Sequence, residues 1–455
     1  MEYAESEWEY LQCLREFTDI DNTNINMPIQ RISIKRDDSY NIIMDITVND
    51  ITSHEEAKLK KLNNLLFKHD YMLINISCNY RQTERFFDYY DGKYIFTYSV
   101  EKLEHKRTSY SENSRKEWFL NSIKYRSNKR LFCQKTRYNM DKTKQRLENM
   151  EIDSLETNTQ LIYDYVTITC PGTNFGKITL QTVQKVFCPE WSNCLCVEYH
   201  NPPTQSECDK VHSILNFILG RYLIKVGTTG LDIHDNIIYE TSIAPEEGFD
   251  VKGFCDMPEK SIILPLIVKT SNPENIQRTL SHIINTYLAI KEDLTNPLHL
   301  YGQSLISNPN IEIILIDAAI ESFAEVMGFK GTSKVKIYSF IYDCGLAVKD
   351  GHMISIGTIE DDVRDYRNQV THGQFIGDNQ TLYTYNLVYR ILYSRILLTY
   401  LKIGKYYDLT TGEIKSMNEA INAKEFKRVQ KVLRKNKYNN SRKYYLELFK
   451  EIKKK

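Results

Sequence analysis

Ile311–Gly328 (IEIILIDAAIESFAEVMG) is the stretch around which the second half of the chain organises. It is apolar nearly all round, the pattern of a helix buried at the centre of a bundle, and Gly328 supplies a C-terminal stop. Working outward, Pro273–Lys291 places Ile276, Leu280, Ile283, Ile284 and Tyr287 on one face. Ser333–Leu346, Thr358–His372 and Thr381–Lys402 read as three further helices. Helices of this length joined by short loops, beginning near Phe254, predict a compact all-α bundle.

Upstream the period changes. Arg31–Lys35 and Tyr40–Val48 predict two strands around the polar turn RDDSY, with apolar residues alternating along YNIIMDITV. Tyr71–Ser77, Tyr94–Tyr98, Ile162–Thr169, Lys177–Val183, Cys194–His200 and Asn236–Ser242 read likewise. His54–Lys68 is expected to be a short amphipathic helix, and Ser114–Glu156 a long polar helical stretch. Within the latter, Lys124, Arg126, Lys129 and Arg130 form either a solvated face or a polyanion contact. In Glu207–Arg221, Val211, Ile214, Leu215, Ile218 and Leu219 form a helical stripe that ends at Gly220. The expected fold is α+β: a strand-rich N-terminal domain over 1–253, the bundle over 254–405, and a basic extension over 406–455. No repeat of 20–50 residues is visible.

The 455 residues carry 59 Lys+Arg and 59 Asp+Glu, so the net charge is zero. That argues against a protein that coats nucleic acid indiscriminately. The balance is nevertheless a sum of opposites, because Lys424–Lys455 holds thirteen Lys/Arg against three Glu. Tyr438, Tyr444 and Tyr445 interleave with those charges, so the tail reads as a solvated helix or an RNA-binding segment, with Lys427, Arg428, Lys431, Arg434 and Lys435 as candidate contacts. No apolar run is long enough to span a membrane. The acidic start MEYAESEWEY is not a secretory signal, and ten scattered cysteines fit reduced thiols, so a cytoplasmic location is expected. Cys188, Cys194, Cys196 and His200 are spaced unlike paired zinc knuckles, and strand packing is the simpler expectation. A Cys- or zinc-centred enzyme remains a third functional class.

Several common site motifs are missing. Gly328-Phe329-Lys330-Gly331-Thr332-Ser333-Lys334 has the wrong spacing for a phosphate-binding loop, and G-x-G-x-x-G, G-x-S-x-G and H-E-x-x-H do not occur. The informative segment is Thr358–Gly373 (TIEDDVRDYRNQVTHG). Ile359, Val363, Tyr366 and Val370 form its apolar stripe, whereas Arg364, Asn368 and His372 recur at i+4 on the remaining face beside Arg367 and Thr371. Such a set suits metal-free phosphate chemistry. Arginine forks onto phosphate oxygens and stabilises charge in the transition state. A histidine near its ordinary pKa can move a proton at neutral pH. Asn368 could orient the histidine or bind a phosphate oxygen. The alternative is a surface helix whose arginines pair with Asp361, Asp362 and Asp365.

Arg367, Asn368 and His372, with four residues between Arg and His on a late helix of a helical bundle, resemble the motif of HEPN-domain ribonucleases. Ile311–Gly328 is similar to the second core helix of those domains. The strand-rich region upstream, closing with a helix like VHSILNFILGRYLIKVG, resembles the ApeA-type subgroup of bacterial anti-phage ribonucleases. The resemblance implies an abortive-infection endoribonuclease that needs no cofactor or metal. It implies Arg367, His372 and Asn368 as catalytic residues, with Arg364 and Glu321 in support. For Glu321 the competing expectation is a solvated stripe with Asp317 and Glu325. The resemblance also implies RNA as substrate, with tRNA as a candidate, a phage-derived trigger, and a homodimer or higher homo-oligomer with the motif helices facing each other. Arg367 and His372 lie about 140° apart on an ideal helix, so one helix presents them poorly to a single phosphate. The alternative function is a non-catalytic HEPN-type binding or toxin–antitoxin module.

Overall fold

The structure, a computed structural model, describes residues 15–20, 23–25, 27, 29–49, 51–69, 72–88, 93–107, 110–122, 134–137, 162–183, 189, 192–245, 250–256, 260, 273–330, 367–369, 371–372, 379–408 and 413–416. The fold is α+β, with a large antiparallel sheet. Two compact units divide the chain. The first holds residues 1–204 and 223–257, the second 205–222 and 258–455.

In the first unit the strands are β1 (Arg15–Ile20), β2 (Ile29–Arg36), β3 (Ile42–Val48), β4 (Asn64–His69), β5 (Met72–Asp88), β6 (Lys93–Arg107), β7 (Ser114–Leu120), β8 (Gln134–Arg137), β9 (Ile162–Thr169), β10 (Lys177–Thr182), β11 (Leu195–Tyr199), β12 (Ile224–Leu231) and β13 (Ile237–Ile243). They pair in the order β1-β2-β3-β6-β13-β12-β7-β11-β10-β9-β8, with β4 and β5 branching from β6. The long β6 joins the two halves. Along one edge it pairs with β5, and along the other with β3 through Tyr94–Val100 and then with β13 through Lys102–Lys106. The period-2 reading of YNIIMDITV holds, because Ile42, Met44, Ile46 and Val48 all point into the core formed with Ile32, Ile34, Phe67, Ile74 and Phe96.

Three expectations are corrected here. Ser114–Leu120 is strand β7 and not the start of a helix; it pairs with both β11 and β12. Its charges mislead because one of them, Glu117, is buried and partnered by Tyr199 and Lys225. The helix from His54 stops early: α1 (Ser53–Lys60) has a capping box at Thr52 and Glu55, and strand β4 follows. β8 (Gln134–Arg137) also falls in the helical stretch expected over Ser114–Glu156, and β1 and β12 form where no strand is expected.

The second unit contains α2 (Gln205–Leu219), α4 (Pro273–Leu288), α5 (Thr295–Ile306), α6 (Pro309–Val326) and α7 (Asn379–Tyr400), and the short α3 (Val251–Asp256), between α2 and α4 in the chain, belongs to the first unit. All five stripe residues of α2 are buried, and Gly220 (φ +59°) closes it: Arg221 N donates to Asn216 O and Gly220 N to Phe217 O. α2 packs on α4 and α5, α5 on α6, and α6 on α7. Tyr301 and Tyr393 stack at 4.5 Å in the core, flanked by Phe217 and Phe323. α5, which carries Pro297 and Gly302, is not among the helices expected from the sequence. Pro297 sits in the first turn, where proline is tolerated, and a Cβ on Gly302 would meet the Tyr222 ring at 3.3 Å. A hairpin, β14 (Lys405–Asp408) with β15 (Glu413–Ser416), follows α7. Ser333–Leu346, residues 358–366 and Lys424–Lys455 lie outside the described residues. No helix among those described is long and apolar enough to cross a membrane.

Candidate functional site

The site is built on α6. Asn308 caps it by accepting from the backbone of Asn310 and Ile311, and Pro309 starts it. At the far end Gly328 (φ +87°) allows Phe329 N to bond Ala324 O and Gly328 N to bond Glu325 O. Between these caps the helix buries Ile313, Ile316, Ala319, Ile320, Phe323 and Ala324, and with them two carboxylates, Glu312 and Asp317. α7 runs alongside in the same direction: Asn386 Nδ2 donates to Pro309 O, and Phe323 meets Tyr400 further on.

Arg367 and Tyr389 help to offset the cost of burying Asp317. Arg367 brings its Nε to 3.2 Å from Asp317 Oδ2, and Tyr389 OH on α7 donates to Oδ1 at 3.4 Å. The arginine contact is an ion pair without an aligned N–H···O bond. Arg367, Asn368 and Gln369 are helical; His372 N donates to Asn368 O and Thr371 Oγ1 to Arg367 O. Arg367 Nη1 donates to Asn368 Oδ1 at 3.1 Å. Asp317 is 1% exposed and Arg367 27%, so the guanidinium reaches from an interior anion to solvent. Asn368 and His372 are exposed.

The structure therefore joins Arg367 to Asn368, and leaves the His372 imidazole in solvent at the end of the same turn. Glu321 stands one turn beyond Asp317 and is half-buried, and Glu325 is exposed. A solvated stripe of three acids does not describe this face, because Asp317 is buried. Arg367 pairs across to another helix, whereas Asp361, Asp362 and Asp365 of its own segment lie outside the described residues. Asp317 and Tyr389 are the residues sequence reading missed. The available signal was a single carboxylate in the apolar run ILIDAAI. Arg364, Lys427, Arg428, Lys431, Arg434 and Lys435 lie outside the described residues.

Chemically, a guanidinium has five N–H donors, and the contacts above leave Nη hydrogens for a phosphate. An exposed imidazole five residues on can exchange protons with a bound substrate. A second buried carboxylate, Glu312, is enclosed by Lys260 Nζ (2.9 Å) and Arg390 Nε (2.6 Å) and offers no such opening.

The cysteine segment behaves as strand. Cys194 and Cys196 are buried, and Cys188 lies outside the described residues. His200 Nε2 lies 2.9 Å from Thr179 Oγ1, and burial holds its pKa below the ordinary histidine value. Among the described residues no group of three or more His, Cys, Asp or Glu is placed to hold a metal ion. In comparisons with known proteins, no family model matches the chain, and no characterised protein or solved structure is similar to it at a significant level.

Proposed function

We propose that the protein is a metal-independent endoribonuclease of the HEPN type, acting in bacterial defence against phage. The observation that carries this reading is Arg367: a guanidinium anchored by a buried carboxylate, open to solvent, one helical turn from an exposed histidine. In the proposed reaction the 2′-OH of one nucleotide attacks its own 3′-phosphate. His372 moves a proton, and Arg367 with Asn368 stabilises the charge that builds on the phosphate oxygens. The products carry 2′,3′-cyclic phosphate and 5′-OH ends, and DNA, which lacks the 2′-OH, is spared. A homodimer supplies the second motif helix that the angular separation of Arg367 and His372 calls for. The strand-rich unit is the proposed sensor of the trigger, and the RNA target is proposed to be a loop with unstacked bases, such as that of a tRNA.

Purified protein incubated with RNA in EDTA tests the reading. Cleavage is expected in wild type and is lost in both His372→Ala and Arg367→Ala. Activity that requires magnesium overturns it, and protein that binds RNA without cutting it after stimulation favours a binding module.

A further inference from the structure

The contacts from Asp317 through Arg367 to Asn368 have a direction. A guanidinium can only donate hydrogen bonds, so the Asn368 atom that faces Arg367 Nη1 at 3.1 Å is necessarily the carbonyl oxygen. The amide NH2 of this exposed residue is then turned away from Arg367 and offered to solvent. Asp317 decides which edge of the guanidinium faces inward: the Nε edge lies 3.2 Å from its buried carboxylate, and Tyr389 holds the other carboxylate oxygen. The polar atoms that Arg367 and Asn368 offer a ligand are the Arg367 Nη hydrogens and the Asn368 NH2. Both are donors, and one carries positive charge, which is the chemistry of oxyanion recognition.

Resting on the ribonuclease reading, we infer that Asn368 contacts the substrate by donating its amide N–H to a non-bridging phosphate oxygen, and that Asp317 is a positioning residue that sets this polarity through Arg367. Of the two roles open to Asn368, orienting the histidine or binding phosphate, the contact with Arg367 favours the second. Substrate is then gripped at the phosphodiester backbone by donors supplied by one turn of helix.

The test compares Asn368→Ala, Asn368→Asp and Asp317→Asn with wild type, using full-length protein. Two readouts are single-turnover cleavage and affinity for an uncleavable RNA with 2′-deoxyribose at the scissile position. Asn368 is exposed, so neither of its variants threatens folding. A residue with only a structural role tolerates the isosteric aspartate better than alanine. The inference predicts the reverse order: about tenfold loss for alanine and at least a hundredfold for aspartate, in cleavage and in affinity alike. Asp317→Asn is expected to lower kcat about tenfold or more with KM changed less than threefold, since the residue touches no substrate. Aspartate at 368 matching or exceeding alanine, or Asp317→Asn cleaving like wild type, overturns the inference. If wild type binds RNA but never cuts it, the ribonuclease reading fails, while the order of affinities still decides the role of Asn368. If wild type neither binds nor cuts, both fail.

Discussion

Glu312 and Asp317 are both buried carboxylates on α6, five residues apart, and they are treated differently. Glu312 is enclosed by two cations, Lys260 and Arg390, and the latter is itself buried. Burial pulls Lys260 below the usual lysine range, and the Glu312 carboxylate opposes that shift. Asp317 is paired with Arg367, whose outer edge reaches water, and accepts a hydrogen bond from Tyr389. A closed pair ties helices together, and such pairs owe their keeping to the damage done when one member is lost. An open pair presents a fixed charge to a ligand. The same device, one turn and a half apart, is closed in one place and open to solvent in the other.

The largest effect belongs to the open side. His372→Ala is expected to reduce RNA cleavage by about 10²–10⁴-fold, the usual range for removing an acid–base group, with the thermal midpoint unchanged because the side chain is exposed. A matched fall in midpoint would place His372 in the scaffold instead. Next comes the closed side. Glu312→Ala strands Lys260 and Arg390 without their anion and is expected to cost about 3–5 kcal/mol in urea unfolding. Arg367→Ala should cost less, about 1–3 kcal/mol, since the stranded Asp317 keeps Tyr389 and can take up a proton. Equal losses at the two sites would erase the contrast between them.

A third cluster, in the sheet, sharpens it further by using a neutral base. His105 is packed against Arg15, which also pairs with Glu240. Burial, and then the Arg15 charge, lower the His105 pKa to about 3. Below the ordinary histidine value of about 6.5 the unfolded chain takes up a proton that the folded one refuses, so stability falls as pH drops through that window. The loss between pH 6.5 and 5 is expected to be about 1.6 kcal/mol. His105→Gln should flatten the dependence of the urea midpoint on pH across that range, and an unchanged slope would show that other groups carry it. The smallest effect is expected from Tyr389→Phe, which removes one long hydrogen bond to Asp317 and should cost about 1 kcal/mol or less.

How far the sequence foretold this arrangement depended on whether the signal was local. α2 and α6 were legible because their apolar stripes and their terminal glycines agree, and β3 because its alternation is clean. β7 was not, since SRKEWFL looks polar until Glu117 finds Tyr199 and Lys225 on neighbouring strands. α5 was hidden because Gly302 answers to the close approach of Tyr222 and not to its own helix. At the site, Arg367, Asn368 and His372 stood out by spacing. Asp317 did not, because a carboxylate inside an apolar helix acquires meaning only when the arginine fifty residues later folds against it.

The account rests on cleavage by the turn that carries Arg367 and His372, and sequencing RNA ends from cells expressing wild type or His372→Ala tests it most directly. The prediction is a set of discrete 2′,3′-cyclic phosphate ends present with wild type and missing with the variant. The same ends in both, or none above background in cells where wild type halts growth, would contradict it.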